Sequence, residues 1–104
     1  MNWHKVDELD GKSYFVDTSS IKKQNNFVYY SELIDFKEAI YGALSRISTF
    51  KANCATMEKA SISITSYTGQ MGKYIVINEA KNDGTRFIED SQSSTLKFIC
   101  ARTM

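Results

Sequence analysis

The sequence predicts an α+β fold: an antiparallel β-sheet of about six strands, with one C-terminal helix packed on a face. Three observations carry the prediction. Apolar residues alternate with polar ones along most of the chain, the period of a strand. Short turn signals rich in Gly, Asn and Asp separate these runs. The last dozen residues switch to a period of three to four. The chain has 104 residues, of which 42% are hydrophobic and none is proline. That length suits one domain over residues 1–104, burying roughly 65% of its unfolded surface. No apolar run approaches the ~18–20 residues of a transmembrane segment. A net charge of +1 gives a poor electrostatic funnel, so no nucleic-acid partner is expected.

The elements follow in order. Trp3–Val6 and Ser13–Val16 read as strands divided by an Asp10-Gly11 turn. Asp17-Thr18-Ser19-Ser20 is a cluster of turn formers, and Lys23–Asn26 a second polar break. Phe27–Phe36 then places Phe27, Tyr29 and Leu33 on one face and Val28, Tyr30, Ile34 and Phe36 on the other. With both faces apolar, it reads as a central strand covered on both sides, or on one by a partner subunit. Lys37–Ala43 reads as a loop or bulge around Gly42. Leu44–Thr56 and Lys59–Tyr67 are the next strands, Ile62 and Ile64 in the second alternating with Ser and Thr. After Gly69 and Gly72 comes a short apolar strand, Tyr74–Ile77. Asn82-Asp83-Gly84 then signals a hairpin whose returning edge strand is Arg86–Ile88.

In the tail, Leu96, Ile99 and Cys100 form one helical stripe. A helix over Ser91–Arg102, with Asp90 or Ser91 as N-cap, would lay that stripe on the sheet. The chain has two cysteines, Cys54 and Cys100, too few for a four-cysteine zinc site. If Cys54 lies on the facing side of its strand, the thiols meet in a structural disulfide; two unrelated buried thiols are the alternative. A bridge would close roughly 46 residues and stabilise the fold by about 4 kcal/mol in the chain-entropy model.

No residue set calls for catalysis, a cofactor or a metal. His4 is the sole histidine, with no cysteine near it in sequence and no orienting group for a nucleophile pair. Gly11-Lys12-Ser13 imitates the end of a phosphate loop, but Val6 stands where the first glycine belongs. Asp7, Glu8 and Asp10 lack calcium-loop spacing. Phe27, Tyr29 and Tyr30, near Lys22 and Lys23, form an aromatic strand face. Stacking on single-stranded bases is one use of such a face; a protein interface suits it better.

The order of features resembles the surface-adhesin protein E family, small exported bacterial proteins. Trp3-His4-Lys5-Val6 followed by Tyr14-Phe15-Val16-Asp17 and Ser20-Ile21-Lys22 is similar to that family's opening. Phe27 to Lys37 resembles its next strand. Ser45, Asn53-Cys54, Tyr67, Gly69 and Gly72 match the segments that follow, and Phe98-Ile99-Cys100 looks like its closing apolar-Cys pair. Phe87 and Glu89-Asp90 depart from the family's usual Trp and Pro-Gly turn. The resemblance implies a protein E-like domain whose helix is tied to the sheet by Cys54 and Cys100. It further implies a non-enzymatic, adhesin-like binding module at the periplasm or cell surface, with homodimers and an extracellular-matrix or envelope protein as partner. A homodimeric envelope structural protein with no host ligand is the alternative. Met1-Asn2 lacks the basic and apolar stretches of a signal peptide, which fits a cytosolic protein or a chain that starts where a mature export product would; the strand beginning at Trp3 favours the second reading.

Overall fold

A computed structural model describes residues 1–103. Eight strands form one sheet in which every pairing is antiparallel. They are β1 (Trp3–Leu9), β2 (Lys12–Asp17), β3 (Lys22–Gln24), β4 (Phe27–Ile40), β5 (Ala43–Asn53), β6 (Glu58–Tyr67), β7 (Val76–Lys81) and β8 (Phe87–Glu89). A helix, α1 (Ser94–Thr103), closes the described chain. The main path runs β1-β2-β4-β5-β6-β7, so six positions across the sheet are filled, as expected. The two additional strands extend partial columns: β3 pairs with the start of β4, and β8 with the start of β6.

Several local expectations are corrected. Lys23 and Gln24, expected within the polar break Lys23–Asn26, join Lys22 in strand β3 (Lys22–Gln24), because its backbone completes the ladder of Phe27–Tyr29 while its side chains stay in water. Lys37–Ile40 extends β4 through a bulge, leaving only Tyr41 and Gly42 as the turn. Both have positive φ, 50° and 82°, the geometry of the tight hairpin turn for which glycine is preferred. The Asn82-Asp83-Gly84 segment bends at Gly84 but makes no hairpin. Both β7 and β8 pair with β6, at its far and near halves, so the chain continues along the same column. The strand read at Tyr74–Ile77 lies later, at Val76–Lys81.

In β6 a bulge breaks the period-two pattern: Thr49 pairs with Ser63 and Phe50 with Ser61, leaving Ile62 as the extra residue. Ile62 lies beneath Gly84 near Lys51, whereas Ile64 lines the helix side. The two isoleucines therefore serve different faces.

The main core lies between α1 and the sheet: Val16, Val28, Tyr30 and Ala52 below, Leu96, Ile99 and Cys100 above. Ile34, Phe36 and Ala43 form a second cluster further along the sheet. Leu33, pointing away from α1, is also fully buried, so β4 is covered on both faces. The helix begins three residues later than expected, capped by Ser93, whose Oγ accepts the Leu96 N–H at 3.2 Å. Cys54 and Cys100 are joined in a disulfide with Cα atoms 5.4 Å apart, tying the helix to the end of β5.

Candidate binding surface

The three aromatic residues expected at an interface separate. Tyr30 is 1% exposed and lies under α1, with its hydroxyl 3.5 Å from Thr95 Oγ1. Burial, and then the nearby Glu32 carboxylate, push its phenol far above the ordinary tyrosine value. Tyr30 is thus a core residue, and the expectation that it anchors a partner is corrected: its face of β4 is already occupied by the helix. Phe27 and Tyr29 point to the other side, both half-buried. Phe27 stacks on Phe87 with ring centroids 5.6 Å apart, and Lys51 Nζ lies 4.3 Å from its ring centre. These cation–π and stacking contacts partly use the surface that an external ligand would need.

The residues weighed for chemistry have structural settings. His4 stacks on Phe98 at 5.3 Å, pairing the first strand with the helix. Glu8 is ion-paired with Lys5, and Gly11 sits in the β1–β2 turn with φ 76°.

Sequence reasoning missed the surface that stands out most. Tyr74, Ile75, Val76 and Ile77 are 84%, 67%, 47% and 43% exposed, and the neighbouring β4–β5 turn adds Ile40 and Tyr41. A Cβ built at Gly42 would lie 3.7 Å from Ile77 Cδ1, so turn and strand adjoin. Only Val76 and Ile77 of the run lie in β7, Tyr74 and Ile75 preceding it; the signal available in sequence was that a one-sided buried strand would alternate, and four apolar residues in succession do not.

The fold holds this run in place from behind. Met71 N–H donates to Asp35 Oδ1 at 2.7 Å and Gly72 N–H to Ser45 Oγ at 2.9 Å, while Ser45 Oγ donates to the Gly69 carbonyl. Thr68 N–H donates to the Ile75 carbonyl at 2.9 Å, and Ile75 N–H returns a bond to Thr68 Oγ1 at 3.1 Å. Among the described residues no strand lies beside the far side of β7, so alternate backbone groups there are free to pair with another chain.

The opposite edge is built differently. β1 is interrupted by a bulge between Lys5 and Asp7 and carries Lys5, Asp7 and Glu8, all features that discourage strand pairing. The β1 edge is blunted along its length, whereas β7 is open and apolar at its entry, Tyr74–Ile77, before Asn78, Glu79 and Lys81 make its second half polar.

A sequence profile of the family described as Surface-adhesin protein E matches residues 3–101. The chain belongs to the surface-adhesin protein E family. Solved structures agree on the fold. A crystal form II structure of Haemophilus influenzae protein E superposes with a TM-score of 0.66 at 17% identity, covering 93% of this chain and 92% of that one. A second structure of H. influenzae protein E gives 0.64 at 16% identity, covering 96% and 94%. A third, from non-typeable H. influenzae, gives 0.59 at 17%, covering 97% and 82%. No curated protein sequence matches the chain. Membership in the protein E family points to a surface adhesin and to an extracellular or surface location. Among the described residues no helix is long and apolar enough to cross a membrane.

Proposed function

We propose that this chain is a non-enzymatic, exported binding module that holds a protein partner at the cell surface. The open apolar edge Tyr74–Ile77 carries the reading. A partner strand added to β7 would complete the free backbone ladder, and Ile75, Ile77, Tyr41 and Tyr74 would supply the amphipathic anchors common at interfaces. Extracellular-matrix proteins are the partner class for an adhesin; Phe27 and Tyr29, on the face away from α1, offer a secondary contact.

The test is surface-based binding of the disulfide-intact protein to immobilised matrix proteins, compared with Ile77→Lys. Saturable binding that the substitution abolishes, with thermal melting unchanged, supports the reading. A folded protein that binds no matrix protein overturns it.

The same edge also supports a homodimer formed by β7 pairing with β7 of a second copy, the arrangement of a periplasmic or envelope structural protein. Light scattering separates the readings: a dimer that Ile77→Lys dissociates, in a protein without matrix binding, favours the envelope role.

A further inference from the structure

Beside the N-terminal end of α1, the sheet and the Asp90–Ser94 segment enclose a cleft of about 450 Å3. Sites for small molecules commonly span roughly 300–1,000 Å3. Ile34, Phe50 and Ile64 supply its apolar lining. Three charged groups lining the cleft lack ionic partners among the described residues: Asp7, whose Oδ1 accepts the Glu8 N–H at 2.8 Å, Glu32 and Arg46. Glu32 is only 5% exposed, and one of its carboxylate oxygens accepts the Thr95 hydroxyl. The other oxygen receives no hydrogen bond among the described residues and is not sealed from solvent, so it opens to the cleft.

Arg46 stands on β5 opposite Ile34, one diagonal step from Glu32 in the ladder; the backbone positions of such neighbours lie roughly 7–8 Å apart, within reach of long side chains. Its half-buried guanidinium is within salt-bridge distance of no carboxylate among the described residues and has only the Phe36 ring, 5.8 Å away. Lys59, by contrast, is matched: its Nζ is 3.2 Å from Asp90 Oδ2 and 4.2 Å from the centre of Phe50.

These unmatched groups limit what the cleft can hold. An apolar ligand would strip water from these charges and replace none of it. A simple anion would satisfy Arg46 but face Glu32 and Asp7; a simple cation would satisfy the carboxylates but face Arg46. We propose that this cleft binds a small zwitterion of the α-amino-acid type, its carboxylate on the Arg46 guanidinium, its ammonium on the free oxygen of Glu32, and its side chain over Phe50 and Ile64. A guanidinium takes a carboxylate through two parallel hydrogen bonds, which fixes the ligand's orientation. The site lies on the helix side of the sheet, apart from the β7 edge, and stands independently of any protein partner.

Calorimetric titration of the oxidised protein with a panel of free amino acids, each alongside its N-acetyl and amide derivative, tests this. At least one amino acid is expected to bind saturably in the millimolar range or tighter, with both derivatives about tenfold or more weaker, since each lacks one charge-assisted hydrogen bond. Glu32→Gln, which can still accept from Thr95, should weaken the free amino acid and spare the N-acetyl form. Arg46→Met should weaken it and spare the amide. Should either variant fail to fold, amide NMR shifts of the unsubstituted protein replace it, with changes expected around Ser48 and Ser94. No saturable binding by any amino acid, derivatives that bind as well as their parents, affinity surviving both substitutions, or shifts centred elsewhere would overturn the assignment.

Discussion

Thr95, in the first turn of α1, donates its hydroxyl hydrogen to the carboxylate of Glu32 on β4, 63 residues earlier. Because that single hydrogen is used, Thr95 acts as acceptor in its contacts with the Tyr30 and Ser93 hydroxyls, at 3.5 and 3.2 Å. One side chain thus links the start of the helix to the centre of the sheet, and it places a carboxylate at the positive end of the helix dipole.

Thr95→Val keeps the shape and removes the hydrogen-bonding group. Stranding Glu32 in this setting should cost about 1–3 kcal/mol. The expected observation is a lower urea midpoint with an unchanged slope, whereas Thr95→Ser should stay near the parent value.

The disulfide joins residues 46 apart, and its loss should cost about 4 kcal/mol in the chain-entropy model. Cys100→Ser is expected to release α1, seen as faster tryptic cleavage at Lys97. Equal cleavage of oxidised and reduced protein around Leu96 would refute this role.

Gly72 has φ +68°, and a Cβ added there would lie 2.7 Å from Ile47 Cδ1. Gly72→Ala should therefore destabilise by about 1–2 kcal/mol from the backbone alone, with the contact adding to it. Ile47→Val removes the offending Cδ1. In the double variant the two costs should be less than additive, leaving the backbone part, as a double-mutant cycle would read.

Asp17 Oδ1 accepts bonds from the Asn2 N–H, the Ser19 N–H and the Ser19 hydroxyl at 2.9, 3.1 and 2.6 Å. Burial works to raise its pKa, but these bonds prevail and hold it below the ordinary 3.8. A group with its pKa lowered on folding contributes stability in full above the unfolded value and loses it as pH falls through the folded one. Acid unfolding below about pH 4 should thus be shallower in Asp17→Asn than in the parent.

The central strand was legible because its residues announce their faces. Val28, Tyr30, Ile34 and Phe36 face the helix side, as period two requires, and Leu33 is buried on the other. The helix was legible from the Leu96, Ile99, Cys100 stripe, all three of which are buried. β3 was not, because an edge segment of Lys22, Lys23 and Gln24 owes its strand state to backbone pairing with β4, which leaves no apolar trace. The β7–β8 segment misled for a related reason: Asn-Asp-Gly at 82–84 permits a reversal, but whether one occurs depends on which strand each flank joins, and here both flanks run the same way along β6. At the surface, Tyr30 and Tyr29 look alike in sequence. Only the position of α1 decides that one is core and the other is not, and the exposure of Tyr74–Ile77 depends likewise on β7 falling at the edge.

Because α1 lies at the C-terminal end of the described chain, the face it covers is complete before its cover exists. During synthesis or export, Val16, Val28, Tyr30 and Ala52 form a greasy plane with nothing against it until residues 94–103 follow. Exposed apolar surface of that kind is where nascent chains aggregate, and thiol pairing is slow compared with strand formation. The interval between a formed sheet and a locked helix is the window in which this protein most needs a chaperone and an oxidant, and a chain stopped short of Ser94 would remain in it permanently.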